Sequence, residues 1–187
     1  RLTVGGFGGS DTLSGGAGVD TVSFLYASGV TVDLALTAAQ NTGAGTDTIT
    51  NVENLIGSNY ADTLRGNSGA NVLRGAGGND VIDGRAGSDT ASYRGDSGVT
   101  VDLRLLGQQN TVGAGLDTLV SIENLIGSDN DDTLIGDGAA NVLEGGLGTD
   151  TINGQGGSDT ASYAGASQLV RVSLALTTVQ QTVGGGA

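Results

Sequence analysis

Apolar positions recur every nine residues along much of this chain. Between Gly57 and Ser92 stand four consecutive nonapeptides, GSNYADTLR, GNSGANVLR, GAGGNDVID and GRAGSDTAS. Each opens with Gly, has Asp or Asn at place six, and carries Leu, Leu, Ile and then Ala at place eight. The triplets DTL, NVL, DVI and DTI set one apolar side chain among polar ones, as a short half-buried strand requires. Glycine-rich hexapeptides separate the triplets, and no amphipathic helix of credible length appears. The pattern predicts an all-β solenoid whose turns need more than a thick core to hold them together.

The beat extends beyond that stretch. Gly6–Ser14 and Gly15–Ser23 share the register, with Asp11 and Asp20 at place six and Leu13 and Val22 at place eight. It relaxes between Phe24 and Ile56. There VTVDL alternates with Val inward, and DTIT, a short turn at Asn51–Val52 and ENLIG predict one further turn of the coil. The whole arrangement then repeats: DTVSF begins at Asp20 and DTASY at Asp89 and Asp159, steps of 69 and 70 residues, Val112 being the extra one. SGVTVDL occurs at Ser28–Leu34 and Ser97–Leu103, ENLIGS at Glu53–Ser58 and Glu123–Ser128, and four more nonapeptides run from Gly127 to Ser162. Residues 1–187 are therefore expected to form one continuous array without a linker. Its compound repeats cover roughly residues 20–88 and 89–158, with a truncated third over 159–187.

Composition sharpens this. Glycine accounts for 36 of 187 residues, and Pro, Cys, Met, Trp and His are absent, whereas average glycine usage is about 7%. A core of Val, Leu, Ile and Ala is thin, since burial yields roughly 25 cal/mol per Å² of apolar surface. The net charge of −13 disfavours nucleic acid and anionic lipid as partners and suits multivalent cations. Without Cys and His, thiolate sites and the commonest zinc and copper ligands are lacking. No apolar run of about 18 residues occurs, so no membrane insertion is expected. The opening RLTVGG has no apolar signal-peptide core, and the chain reads as a piece of something longer.

Two nonapeptides per turn would bring place six of one repeat over place six of the repeat eighteen residues on. That stacks Asp62 on Asp80, Asn71 on Asp89, Asp132 on Asp150 and Asn141 on Asp159. Successive turns lie about 4.8 Å apart, where bare carboxylates repel and a hard divalent cation turns repulsion into ligation. Calcium takes about 6–8 oxygens and mixes carboxylates with backbone carbonyls, while magnesium demands near-ideal octahedral geometry. The loop glycines permit positive φ, so carbonyls can turn inward. TGAGTDTIT and VGAGLDTLV also match the motif, which adds Asp47 on the side of Asp62 and Asp117 on the side of Asp132. The candidate ligands are thus Asp11, Asp20, Asp47, Asp62, Asn71, Asp80, Asp89, Asp117, Asp132, Asn141, Asp150 and Asp159. They are expected to form a calcium column along each edge, broken near VTVDL.

GGAGVDTVS, GAGGNDVID and GGLGTDTIN resemble the Gly-Gly-x-Gly-x-Asp-x-apolar-x calcium-binding nonapeptide of RTX, or hemolysin-type, proteins. The compound unit is similar to the C-terminal regions of serralysin-like secreted proteins, and the resemblance covers nearly all of the chain. It implies a parallel β-roll, a right-handed β-solenoid with calcium ions between successive loops. The ions would be held by place-six Asp and by carbonyls near places one and three. Place one is Gly57, Gly66, Gly75, Gly84, Gly127, Gly136, Gly145 and Gly154 in the regular repeats. The resemblance also implies export by type I secretion machinery and an extracellular location. Asn71 and Asn141 depart from it as neutral, weaker ligands, Ala91 and Ala161 thin the core, and Ser173 replaces the Asp of VTVDL in a degenerate third copy. The C-terminal secretion signal of the family is not evident in QQTVGGGA.

Other features have plainer readings. Asp33 and Asp102 fit a solvated strand face, and Glu53 and Glu123 fit turn or surface positions. Phe24, Tyr93 and Tyr163 fit packing at an irregularity of the roll rather than sugar stacking. The leading expectation is a monomeric, calcium-dependent folding and export module without catalysis of its own, since no unrepeated Asp, Tyr, His or Arg cluster is evident. The alternative is a glycan- or cell-surface-binding module. Arg65, Arg74 and Arg85, at intervals of nine and eleven, would then line one face, although the second unit has Ile135, Glu144 and Gln155 there.

Overall fold

The computed structural model describes residues 2–3, 8–164 and 180–183. Among these the only regular elements are twenty short strands, and the chain alternates between two faces of a parallel β-roll. One face is a single eight-stranded sheet built from Leu2–Thr3, Thr21–Ser23, Asn54–Ile56, Val72–Arg74, Thr90–Ser92, Asn124–Ile126, Val142–Glu144 and Thr160–Ser162. Every pairing in it is parallel. The other face is divided among three smaller sheets.

The predicted register holds in the regular half. Leu55 pairs with Leu73, Leu64 with Ile82, Leu125 with Leu143 and Leu134 with Ile152, each eighteen residues apart. Place-eight side chains point inward and form the core rows. Val22, Leu55, Leu73, Ala91 and Leu125 on one face, and Val32, Leu64, Val101 and Leu134 on the other, have no exposed surface. A fully buried aliphatic side chain contributes about 1.5–3 kcal/mol. Phe24 and Tyr93 are buried where the beat relaxes, as packing at an irregularity requires.

The relaxed half departs from chain order. Thr46–Thr50, the turn at 51–53 and Asn54–Ile56 make the expected extra turn, stacked on Thr12–Ser14 and Thr21–Ser23. The earlier strand Thr31–Asp33, however, pairs forward with Thr63–Arg65. The chain runs one rung ahead, returns through the antiparallel pair of Gln40–Asn41 with Thr46–Asp47, and fills the gap behind it. Thr100–Asp102 repeats this, pairing with Thr133–Ile135, while Leu116–Val120 pairs back with Val81–Asp83. Each unit therefore has a surplus rung on one face. Val112, the inserted residue, sits at φ +63° and is mostly exposed, so the insertion is absorbed in a turn. Ser173 lies outside the described residues.

Among the described residues the arginines form no stripe. Arg65 and Arg74 stand on strands of opposite faces. Arg74 pairs with Asp96 at 2.8 Å, and Arg85 pairs with Asp33. Each nine-residue repeat makes one half-turn and brings odd and even repeats to opposite sheets, so a nine-residue interval cannot line one face. Asp33 and Asp102 are held by Arg85 and Arg104, and Asp102 is lowered below the usual carboxylate range by its bonds from Arg104.

Candidate metal centre

The place-six side chains fall into two columns, one at each edge of the roll. In the first, each rung's backbone N–H donates to the carboxylate of the next. Asp11 donates to Asp47 at 3.1 Å, Asp62 to Asp80 at 2.9 Å, Asp80 to Asp117 at 3.0 Å and Asp132 to Asp150 at 3.1 Å. The surplus rungs interrupt this column, because Val30 and Val99, not Asp47 and Asp117, donate to Asp62 and Asp132. In the second column Asn71 donates to Asp89 at 2.8 Å and Asn141 to Asp159 at 3.0 Å. All the stacked pairs expected from the eighteen-residue spacing are brought together.

Glu53 and Glu123 sit in turns, as expected, and their carboxylates also join that second column. The Asp20 N–H donates to Glu53 Oε2 and the Asp89 N–H to Glu123 Oε2, both at 2.8 Å. The register pairs Thr21 with Asn54 and Thr90 with Asn124, so each Glu holds place six of a shortened repeat. Three-residue turns replace the hexapeptides there, closed by Asn51 at φ +52° and Ser121 at φ +50°. The signal was present in the sequence as ENL aligned with DTL.

The opening glycines explain themselves. A Cβ on Gly57 or Gly127 would overlap Asp62 or Asp132 Oδ2 and lie 2.8 or 2.5 Å from the carbonyl oxygen of Gly75 or Gly145. On Gly66 or Gly136 it would overlap the Asn71 or Asn141 amide oxygen and lie 2.7 Å from the Gly84 or Gly154 carbonyl oxygen. On Gly75, Gly145 and Gly154 it would meet the carboxylates of Asp80, Asp150 and Asp159, and on Gly84 that of Asp89. Side-chain oxygens and carbonyls of consecutive turns thus converge where only glycine leaves room.

The loops are of two kinds. Ser58 N and Oγ donate to Asp62, and Ser128 N and Oγ donate to Asp132. Asn67 N and Asp137 N donate to the amide oxygens of Asn71 and Asn141, whose Nδ2 groups donate to the Glu53 and Glu123 carbonyls. Thr42 and Thr111 hydroxyls close Asp47 and Asp117. In the other loops place two is left-handed, at Gly16, Ala76, Arg85, Gly146 and Gln155. There Asp20, Asp80 and Asp89 each hold a buried Oδ2 with no hydrogen-bond partner.

Burial dominates the electrostatics. It pushes the Asp80 carboxyl up to about 8, against the Asp62 N–H and with help from the charges of Asp117, Asp62 and Asp96. Asp150 is pushed up to about 6 by the same cause. Asp62, Asp89, Asp117 and Asp132 are also raised by burial, and Glu123 adds to the shift at Asp89. These are carboxylates short of positive charge.

Among the described residues no group of three or more His, Cys, Asp or Glu side chains is gathered around one point. Any ion must therefore draw carbonyls alongside one or two carboxylates. The RTX calcium-binding nonapeptide repeat, in four copies, matches the chain at residues 5–23, 56–91 and 126–161.

The chain carries RTX calcium-binding repeats. No curated protein matches it. The residues present fit the cation that the RTX repeat takes. The donors are all oxygens, which suits a hard ion, and the orphaned Oδ2 atoms of Asp20, Asp80 and Asp89 are acceptors that the protein itself leaves without a donor. An unpaired buried acceptor of this kind is costly, and a bound cation would relieve it.

Proposed function

We propose that this RTX array is a folding and export module that orders when calcium fills its columns, and that it carries no catalysis of its own. The carrying observation is the set of buried, partnerless carboxylate oxygens of Asp20, Asp80 and Asp89, each set in a column of stacked place-six side chains. Asp20, Asp62, Asp80, Asp89, Asp117, Asp132, Asp150 and Asp159 would hold the ions with the adjacent carbonyls, and Glu53 and Glu123 would serve the second column. Bound calcium supplies the positive charge that the stacked carboxylates lack. Because these residues meet only when two turns are stacked, binding free energy is also folding free energy.

In a low-calcium cytosol the stacked carboxylates repel and the chain stays extended, fit to pass a narrow type I exporter. Outside, each ordered turn templates the next, so folding should be cooperative. RTX repeats are typical of secreted proteins, and no helix of the described residues is long and apolar enough to cross a membrane. The test is circular dichroism of the chain in chelator and in millimolar calcium. A β signature that appears only with calcium supports the reading, and full β content in chelator refutes it.

A further inference from the structure

Among the place-six residues only Asn71 and Asn141 carry a side-chain donor, and both are buried. Each follows one of the shortened turns. At the other stacked pairs the earlier residue's N–H donates to the later carboxylate, as Asp62 does to Asp80 at 2.9 Å and Asp80 to Asp117 at 3.0 Å. The short turns reverse that polarity. The Glu53 and Glu123 N–H groups turn back to the Asp20 and Asp89 carbonyl oxygens, at 3.2 and 3.1 Å, and the Glu53 and Glu123 carbonyls face the next rung. Asn71 Nδ2 donates to the first of these carbonyls at 2.8 Å, and Asn141 Nδ2 to the second at 2.7 Å. Partners fix the orientation of each amide. Its Oδ1 accepts from the backbone N–H of Asn67 or Asp137, at 2.8 and 2.9 Å, which can only donate, so Nδ2 must meet the carbonyl, which can only accept. The same Nδ2 groups also reach Asn67 Oδ1 and Asp137 Oδ1, at 3.4 and 3.3 Å.

We propose that Asn71 and Asn141 are hydrogen-bond staples that take the place of an ion, and that the Glu53–Asn71 and Glu123–Asn141 interfaces bind no calcium. The Nδ2 hydrogens already hold the carbonyl oxygen that a cation would draw. Both polar atoms of each amide are bonded within the protein, in contrast to the orphaned Oδ2 of Asp20 and Asp89 in the same column. An aspartate at either position would set oxygen against oxygen and leave a buried carbonyl unpaired, which is costly. Asparagine is thus the residue that a short turn requires after it, rather than a weakened ligand. Calcium in the second column is then confined to the loops of Asp20, Asp89 and Asp159, and each of the two units has a metal-free joint on that edge. This rests on the calcium reading above for the Asp loops alone; the staples need no ion.

Asn71→Asp restores the residue usual at place six. At a ligand position it would add charge, so the calcium midpoint for folding, read by circular dichroism, would fall and calorimetry would count one more ion. At a staple it should raise the midpoint on the order of tenfold and add no ion. Asn71→Ala should likewise leave the ion count at the parental value. A midpoint that stays or falls with Asp, an ion gained with Asp, or an ion lost with Ala overturns the proposal. Should either variant fail to fold in saturating calcium, NMR of the calcium-loaded parent decides. The Nδ2 protons of Asn71 and Asn141 should exchange with solvent far more slowly than those of the exposed Asn59; equal rates overturn the staples. The parent also separates this from the underlying reading: an ion gained or lost at Asn71 in a chain that binds calcium defeats the staples alone, whereas no calcium uptake by the parent defeats both.

Discussion

Asp80→Asn separates the two roles of a column carboxylate, because its effect should change sign with calcium. The Asp80 side chain is 1% exposed, and its carboxyl is pushed up to about 8 from 3.8. A carboxyl raised on folding contributes stability that is complete below its ordinary value and is lost as pH rises from about 4 through about 8. At pH 7.4 without calcium, ionised Asp80 therefore opposes folding. With partial access of water allowed for, the opposition is on the order of 3 kcal/mol. Asn removes the charge with little change of shape, and Asn71 and Asn141 show that an amide fits place six. The assay is far-ultraviolet circular dichroism in chelator as pH falls from 8 to 4. The parent should gain β signal only on acidification, and the variant should gain it at higher pH. In calcium at pH 7.4 the same variant should need on the order of tenfold more calcium, having lost a charged ligand. Asp129→Asn, an exposed position with the same change of net charge, controls for general repulsion. A chelator transition that matches the parent, or moves to lower pH, would refute the argument that burial and stacking charge this site.

Three further outcomes are expected. Leu73→Ala removes a side chain with no exposed surface, packed in a row with Leu55 and Ala91, and should cost about 2–5 kcal/mol in urea unfolding at saturating calcium. Glu53→Gln with Glu123→Gln keeps acceptors for the Asp20 and Asp89 N–H groups but removes two charges from the second column, so calorimetry should show weaker or fewer calcium sites; an unchanged isotherm would return both residues to a structural role. Deleting Val112, which the first unit lacks and which is 67% exposed, should change stability by no more than about 0.5 kcal/mol.

How much of this was legible before folding depends on where order in the chain equals order in the roll. Over residues 57–92 and 127–162 the two agree. Place eight therefore marks the core, Leu55 over Leu73 and Leu64 over Ile82, and place six marks the column, Asp62 over Asp80 and Asn71 over Asp89. The nine-residue period and its glycines determined the all-strand architecture, the eighteen-residue stacking and the oxygen-only chemistry, because each follows from local spacing. A strand rise and a fixed loop length leave no other register.

Only the tertiary structure decided the rest. Thr31–Asp33 and Thr100–Asp102 move one rung ahead, so Asp47 and Asp117 are parted from Asp62 and Asp132 by Val30 and Val99, which no count along the chain foretells. The same detour leaves three-residue turns at 51–53 and 121–123, too short for an aspartate loop, and there the longer arms of Glu53 and Glu123 reach the N–H groups of Asp20 and Asp89. Arg74 meets Asp96 twenty-two residues on because its strand lies beside Thr90–Ser92, which leads into the Asp96 turn. These contacts depend on which strands become neighbours, and the pairing of Thr31–Asp33 and Thr100–Asp102 one rung ahead buries Val30, Val32, Val99 and Val101 of VTVDL.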